Sequence, residues 1–125
     1  MTHTVEFIVL STTRTGERTV VVHTLCRELG RRGFLVGSGC AGALLEPLGI
    51  VEAEVSENTK SDLWRAKNLV AVHPLTDLRL TRHKSAISMF LSELLYRTVH
   101  EDVFEQGLYD WVKSRIILLD AMESD

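Results

Sequence analysis

The stretch EFIVLSTTRTGERTVVVHTLCRELGRRGFLVG, residues 6–37, decides the fold of this chain. Its β-branched and apolar residues come in three short runs, which predicts three strands at residues 7–11, 18–25 and 34–36. Gly16 and Gly30 lie in the turns between the runs, and glycine adopts a positive φ at no steric cost. Strands this close together leave no room for a crossover helix, so we expect them to pair antiparallel as a meander.

Two further strands are predicted downstream of the meander. Residues 49–55 alternate between apolar and acidic side chains, which is typical of a strand with one buried face. Residues 63–72 form the fifth predicted strand, with a bend near Asn68. Within it Arg65 and Lys67 are two residues apart, so they are expected to share one face of the strand.

Beyond these strands the apolar spacing becomes that of a helix, over residues 85–99 and again over 102–122. Five short strands followed by two helices indicate an α+β fold. Five antiparallel strands of this length can close into a small barrel of the oligonucleotide-binding (OB) type, which removes exposed strand edges. An SH3-like barrel is the alternative, because sequence alone does not determine strand order. The predicted domains are an OB-fold barrel at residues 1–76 and a helical extension at residues 77–125.

The predicted barrel core consists of apolar residues spread over all five strands. They are Phe7, Val9, Val20 or Val21, Phe34, Val36, Val51, Val55 and Val70. The two predicted helices carry more apolar side chains than they can bury against one small barrel. We therefore expect an exposed apolar patch and a homo-oligomer formed through Trp111, Leu118 and Leu119, since such patches are rarely left in water.

The composition is that of an ordinary globular domain, with 45% hydrophobic and 25% charged residues. The sequence shows no signal-peptide pattern and no apolar run of membrane-spanning length, and its two cysteines fit free thiols. These features predict a cytoplasmic protein without a membrane partner. The net charge of −3 argues against a strongly electrostatic nucleic-acid binder, although residues 60–84 carry +4 between two acidic segments.

Three patterns that could indicate catalysis or a cofactor fail on spacing. Gly37, Gly39 and Gly42 form a GxGxxG pattern, but a dinucleotide site needs a helix opening there, and Pro47 leaves no room for one. The histidines and cysteines lack metal-ligand spacing. No nucleophile elbow of the GxSxG type is present. The sequence therefore predicts no enzyme, no cofactor and no metal.

Basic side chains are the better functional candidates, because lysine and arginine neutralise the phosphates of nucleic acids. If the barrel closes, they could converge into one track for a DNA backbone. Aromatic residues are few, so base stacking is expected to add little, and Trp64 and Phe34 are assigned to the core. The predicted DNA-binding residues are Arg31, Arg32, Arg65, Lys67, Arg79, Arg82 and Lys84.

Several of these segments resemble the RecO family of bacterial recombination mediators. The turn TRTGE at residues 13–17 and the turn RELG at residues 27–30 are similar to the family's first two turns. The segment LLEPLGIVEAEV at residues 44–55 resembles the family's approach to the fourth strand. The strongest similarity is AVHPLTDLRLTRHKSAISMFLSELLYRTV, at residues 71–99.

The resemblance implies a non-enzymatic role in recombinational DNA repair. A RecO-like protein would bind single- and double-stranded DNA, anneal complementary strands and help load recombinase, with RecR and single-strand-binding protein as partners. Family members are longer, so this chain would be the barrel with the first helices of a helical domain. The alternative is an OB-like scaffold that binds proteins and has no DNA binding of its own, which the net charge of −3 favours.

Overall fold

The computed structural model describes residues 2–37, 43–58, 63–100 and 106–122, which form five strands, three helices and a 3-10 turn. The strands are β1 (Thr2–Arg14), β2 (Thr19–Cys26), β3 (Gly30–Gly37), β4 (Ile50–Ser56) and β5 (Trp64–Ala71). The helices are α1 (Thr76–Leu80), α2 (Arg82–Thr98) and α3 (Gln106–Ala121), and the 3-10 turn is Ala43–Leu45. The five predicted strands and the α+β class are confirmed. The short helix α1 was not predicted.

The strands close into a barrel in the order β1-β2-β3-β5-β4. β1 completes the ring because it pairs with both β2 and β4. β3 and β5 run parallel, with Phe34 opposite Trp64 and Leu35 opposite Arg65. The prediction that all strands are antiparallel is therefore wrong for this pair, because an odd number of strands cannot alternate in direction around a closed ring. A five-stranded Greek-key barrel of this connectivity is of the OB type rather than the SH3-like alternative.

The barrel interior is filled by alternate residues of its strands, as the predicted core requires. The rings of Phe7 and Phe34 stack there with their centroids 5.6 Å apart. The buried interior residues are Val5, Phe7, Val9, Val22, Cys26, Phe34, Val36, Leu45, Val51, Ala53, Val55 and Ala66. Burial of Cys26 raises its thiol pKa to about 11, which makes this thiol unreactive.

One predicted core residue is wrong: Val70 is 60% exposed. Glu54 pairs with Lys67 whereas Glu52 pairs with Val70, so β5 carries one extra residue between these two pairs. The extra residue is accommodated at Asn68, whose φ is 55°, and this confirms the predicted bend. A bulge of one residue reverses the alternation of side chains. Val70 therefore points outward.

The outer face of β1 is also buried, because the helices pack against it. Ile8 and Leu10 belong to a second core that joins the barrel to α1 and α3. The other buried residues of this core are Leu25, Leu48, Ile50, Leu75, Leu78, Tyr109, Val112 and Ile116. The boundary between residues 76 and 77 stays a prediction.

A buried ionic network ties α3 to the first strand. The carboxylate of Glu6 accepts hydrogen bonds from the Tyr109 hydroxyl at 2.5 Å and from the Lys113 ammonium at 2.8 Å. A guanidinium nitrogen of Arg27 lies 3.7 Å from the same carboxylate. Burial alone would raise the pKa of Glu6, but the hydrogen bonds and charges of these partners hold it below its usual value.

α2 faces the barrel with small polar residues and leaves much of its apolar side in solvent. Ser88 and Ser92 are buried, and each hydroxyl donates back to a carbonyl of the same helix, at 2.7 and 3.0 Å. Phe90 and Leu94 are exposed. Small side chains with satisfied hydroxyls allow the helix to approach closely, so burial here does not follow hydrophobicity.

Among the described residues, none of the helices has the length and apolar content needed to span a membrane. Asp102 and Phe104, which were placed in the second predicted helix, lie outside the described residues. The same holds for Gly39, Cys40 and Gly42 of the glycine-rich loop.

Candidate nucleic-acid interface

Arg65 and Lys67 are both exposed on the outer face of β5. Arg65 pairs with Leu35 of β3, and Leu35 in turn pairs with Val21 of β2. The two cations therefore border the outer surface of β2 and β3. In OB folds this surface, together with the β1–β2 and β4–β5 loops, commonly binds oligonucleotides.

Part of that surface is covered by the last turns of α2. The Tyr96 ring lies 4.8 Å from the ring of His23 on β2, measured between centroids. The guanidinium of Arg31 lies 5.1 Å from the same tyrosine ring, and Arg31 is only 4% exposed. Arg31 thus packs beneath α2, in a position that a DNA phosphate does not reach in this conformation.

Arg32 points toward the rim of the barrel where β5 begins. Its guanidinium lies 5.1 Å from the centre of the Trp64 ring, and the ring of His3 stacks on Trp64 at 6.1 Å. Trp64 is half-buried at the edge of the barrel core, whereas Phe34 is fully buried inside it. We call His3, Arg32 and Trp64 the rim cluster.

Two other predicted DNA-binding residues, Arg79 and Lys84, make contacts that fix the helices and do not lie on a free surface. Arg79 donates to the carbonyl of Pro47 at 2.6 Å and forms an ion pair with Glu46 at 3.2 Å. Burial lowers the pKa of Arg79 from its usual value, although Glu46 acts in the opposite direction. Its guanidinium thus braces the loop before β4 against α1.

Lys84 is 4% exposed, and its ammonium contacts three acceptors. It donates to the carboxylate of Asp77, to the carbonyl of Asp120 at 3.0 Å and to the carbonyl of Met122. Both carbonyls lie at the C-terminal end of α3, where a positive charge stabilises the helix dipole. Its three N–H donors are therefore all engaged within the protein.

Arg82, the remaining candidate, is exposed at the start of α2. At 1.5 Å per residue it lies roughly 20 Å along the helix axis from Tyr96. The seven predicted residues thus do not form one continuous track. The structure places Arg65 and Lys67 on the outer face of β5 and Arg32 at the barrel rim beside Trp64. DNA contact by any of the seven stays a prediction.

The sequence analysis overlooked two exposed cations next to the β1–β2 turn. Arg14 ends β1, and Arg18 precedes β2. The glycine of this turn predicts a chain reversal, and its flanking cations matter because OB folds commonly bind oligonucleotides through this turn. The charge of its flanking residues was the signal that could have identified them.

An OB-type barrel with packed helices and exposed basic residues on the outer face of β5 places this chain in the class of OB-fold modules. No protein-family model matches the chain. It is 33% identical to the DNA repair protein RecO of Phocaeicola vulgatus, in an alignment that covers 93% of this chain and 51% of the relative. For RecO of Bacteroides fragilis the identity is 29%, over 91% of this chain and 50% of the relative.

RecO of Flavobacterium johnsoniae is 25% identical, over 90% of this chain and 51% of the relative. The chain is RecO-like over nearly its whole length, which confirms the resemblance seen in the sequence. It spans about half the length of the curated relatives that it matches.

Proposed function

We propose that this chain is the barrel-bearing part of a RecO-like protein. It acts in recombinational DNA repair without catalysing a reaction, and its barrel binds the backbone of DNA. Similarity to proteins named DNA repair protein RecO, over about nine-tenths of the chain, supports the role in repair. The observation that carries DNA binding is the exposed pair Arg65 and Lys67 beside the β2–β3 surface. The same similarity extends the proposal to a cytoplasmic location, to strand annealing and recombinase loading, and to RecR and single-strand-binding protein as partners.

The electrostatics of the proposed interface limit its strength. Arg32, Arg65 and Lys67, with one cation of the β1–β2 turn, would make about four phosphate contacts. For single strands each contact contributes about −0.7 to the slope of log affinity against log salt concentration, so we expect a slope near −3. The net charge of −3 opposes the approach of a polyanion, so binding is expected to be weak and strongest at low salt.

Reversal of charge at both Arg65 and Lys67, to glutamate, is expected to lower DNA affinity and to flatten the salt slope by roughly 1–1.5 units. Two phosphate contacts are lost, so the DNA no longer releases the counterions that these contacts displace on binding. Fluorescence anisotropy of a labelled oligonucleotide across a salt series measures both quantities.

The matched control compares two single variants that alter net charge equally. Arg65→Glu changes the proposed interface, and Arg82→Glu changes an exposed arginine at the far end of α2. An equal loss of affinity in both variants would show that only overall charge matters. Absence of salt-dependent binding by the unaltered protein would refute DNA binding by this barrel.

A second candidate function, a protein-binding scaffold, is favoured by an apolar groove between α2 and α3. The groove has a volume of about 440 Å³. It is lined by Leu48, Ile87, Leu91, Leu94, Leu95, Trp111, Val112, Arg115, Ile116, Leu118, Leu119 and Met122. Trp111 and Leu118 are among the exposed large hydrophobic residues, which confirms the expected apolar patch.

We expect the isolated chain to self-associate through this groove as its concentration rises. Trp111→Asp and Leu118→Asp should each restore a monomer, because a carboxylate in an apolar contact loses its hydration. Met89→Asp is the control, since Met89 is an exposed apolar residue of α2 that does not line the groove. Sedimentation velocity measures the outcome, and a strict monomer at high concentration would count against this candidate.

A further inference from the structure

We propose that an unpaired base of the bound DNA strand inserts into a small pocket beside Trp64, at the rim of the barrel. This inference rests on the proposed function, because the strand must first reach β5. The pocket has a volume of about 250 Å³. It is lined by His3, Thr4, Val5, Glu28, Leu29 and Trp64.

The rim cluster supplies an aromatic wall whose orientation is set before any ligand arrives. Trp64 packs against the barrel core on one side and stays partly exposed on the other. The Arg32 guanidinium lies 5.1 Å and the His3 ring 6.1 Å from the centre of the Trp64 ring, so both restrain the indole. A side chain fixed in this way loses little conformational entropy on binding. Stacking on such a ring is open to every base, because every base has a π-face.

The size of the pocket suits a single base. Pockets for drug-sized ligands measure roughly 300–1,000 Å³, and this one is somewhat smaller. A flat ring system can enter such a space, whereas a whole nucleotide would leave its sugar and phosphate outside. The base would therefore occupy the pocket while the backbone passes along the barrel surface.

Charged residues lie both on the pocket wall and outside the pocket. On one wall lies Glu28, whose carboxylate accepts hydrogen bonds from the Glu6 amide at 3.0 Å and from Arg27. The exposed cation Arg65 directly follows Trp64 in the chain. A phosphate next to the inserted base could thus be neutralised outside the pocket.

The chemical consequence is a preference for strands with unpaired bases. In a duplex the bases are already stacked and paired, so none can enter the pocket without being extruded. Backbone contacts at Arg65 and Lys67 do not depend on pairing. Trp64 therefore sets the preference for single strands over duplexes, while the two cations set the salt dependence.

The test uses oligothymidine and an abasic strand of the same length, which carry the same charge. In a Trp111→Phe background Trp64 is the remaining tryptophan of the two in the chain. We expect oligothymidine to quench its fluorescence and to bind about five- to tenfold more tightly than the abasic strand by anisotropy. Trp64→Leu should remove that difference and leave the salt slope unchanged. Trp64→Phe, which retains a ring, should restore most of the difference.

The possible failures are distinguishable. Equal affinity for the two strands, with no change in Trp64 emission, overturns the base pocket and leaves backbone binding intact. A Trp64→Leu variant that keeps the preference for oligothymidine also overturns it. If neither strand shows salt-dependent binding, the proposed function fails and this inference fails with it. Thermal melting by circular dichroism confirms that each variant is folded before it is compared.

Discussion

Replacement of Val51 by aspartate is expected to abolish folding, whereas the same replacement at Val70 should cost less than about 1 kcal/mol. Val51 is 1% exposed inside the barrel, and the described residues that form this core include no cation to pair with a carboxylate. Burial of an unpaired ion costs several kcal/mol even after relaxation, comparable with the 5–15 kcal/mol that stabilises a typical domain. Val70 projects into solvent opposite Glu52, so a carboxylate there meets only a small like-charge repulsion.

The two variants are matched, because both place an aspartate at a valine in the β4–β5 part of the barrel. Far-ultraviolet circular dichroism and urea unfolding measure the outcome. Val51→Ala serves as an intermediate case, with an expected loss of about 2–3 kcal/mol from missing methyl groups and the cavity left behind. A folded Val51→Asp protein with unchanged melting would contradict the inward orientation of Val51 on β4.

Replacement of Lys113 by methionine is expected to lower the free energy of unfolding by about 3 kcal/mol at neutral pH. Removing one partner of a buried ion pair leaves the other charge uncompensated, which typically costs about 3–5 kcal/mol. Lys113 is partly exposed, so the lower end of that range applies. Glu6 would keep the Tyr109 hydroxyl and the more distant Arg27 as partners.

The pH dependence of this change has a definite sign. In the unaltered protein the pKa of Glu6 lies below its ordinary value of 4.5. The contribution of ionised Glu6 to the free energy of unfolding is therefore fully present above about pH 4.5, and it is lost as the pH falls through the lowered pKa. Burial is the largest single effect on Glu6, and Lys113 supplies two of the interactions that oppose it, so we expect the pKa of Glu6 to rise without Lys113. The stability of Lys113→Met should then increase as the pH is lowered from 7 toward 5.

Urea unfolding between pH 4 and pH 8 measures both trends. Glu6→Gln is the control, because an amide does not titrate in this range. With glutamine at position 6, the protein with Lys113 and the protein with methionine in its place should show the same pH dependence of stability. A Lys113→Met protein whose stability follows the unaltered pH profile would show that the ammonium contributes nothing to the ionisation of Glu6.

Most of the barrel could be predicted because burial in strands alternates with a period of two, and this period is local in sequence. Phe7 and Val9 on β1 and Val51 and Val55 on β4 all follow it. Val70 does not, because a single extra residue in β5 reverses the alternation. The parallel β3–β5 pair was also missed, since it is a condition of ring closure that no short segment expresses.

Some residues of the candidate site could likewise be placed from local sequence periodicity, and others could not. Arg65 and Lys67 could be placed on an outer face from their spacing alone. Lys84 and Arg79 could not be assigned, because their carbonyl partners are 36 and 32 positions away in the chain. The partners of Glu6 on α3, Tyr109 and Lys113, are more distant still, at 103 and 107 positions. Such long-range pairs leave no periodic trace in a sequence.

The burial of β1 on both faces has a consequence for synthesis on the ribosome. Its inner face can be covered once the other four strands have emerged, but the cover of its outer face is completed only by α3. Tyr109 follows Glu6 by 103 residues, which at roughly 5–20 residues per second corresponds to roughly 5–20 s of translation. During that interval Ile8 and Leu10 on the nascent chain lack the part of their cover that α3 supplies. Bulky apolar residues exposed in this way are targets for holding chaperones, and for contacts between neighbouring nascent chains on one messenger.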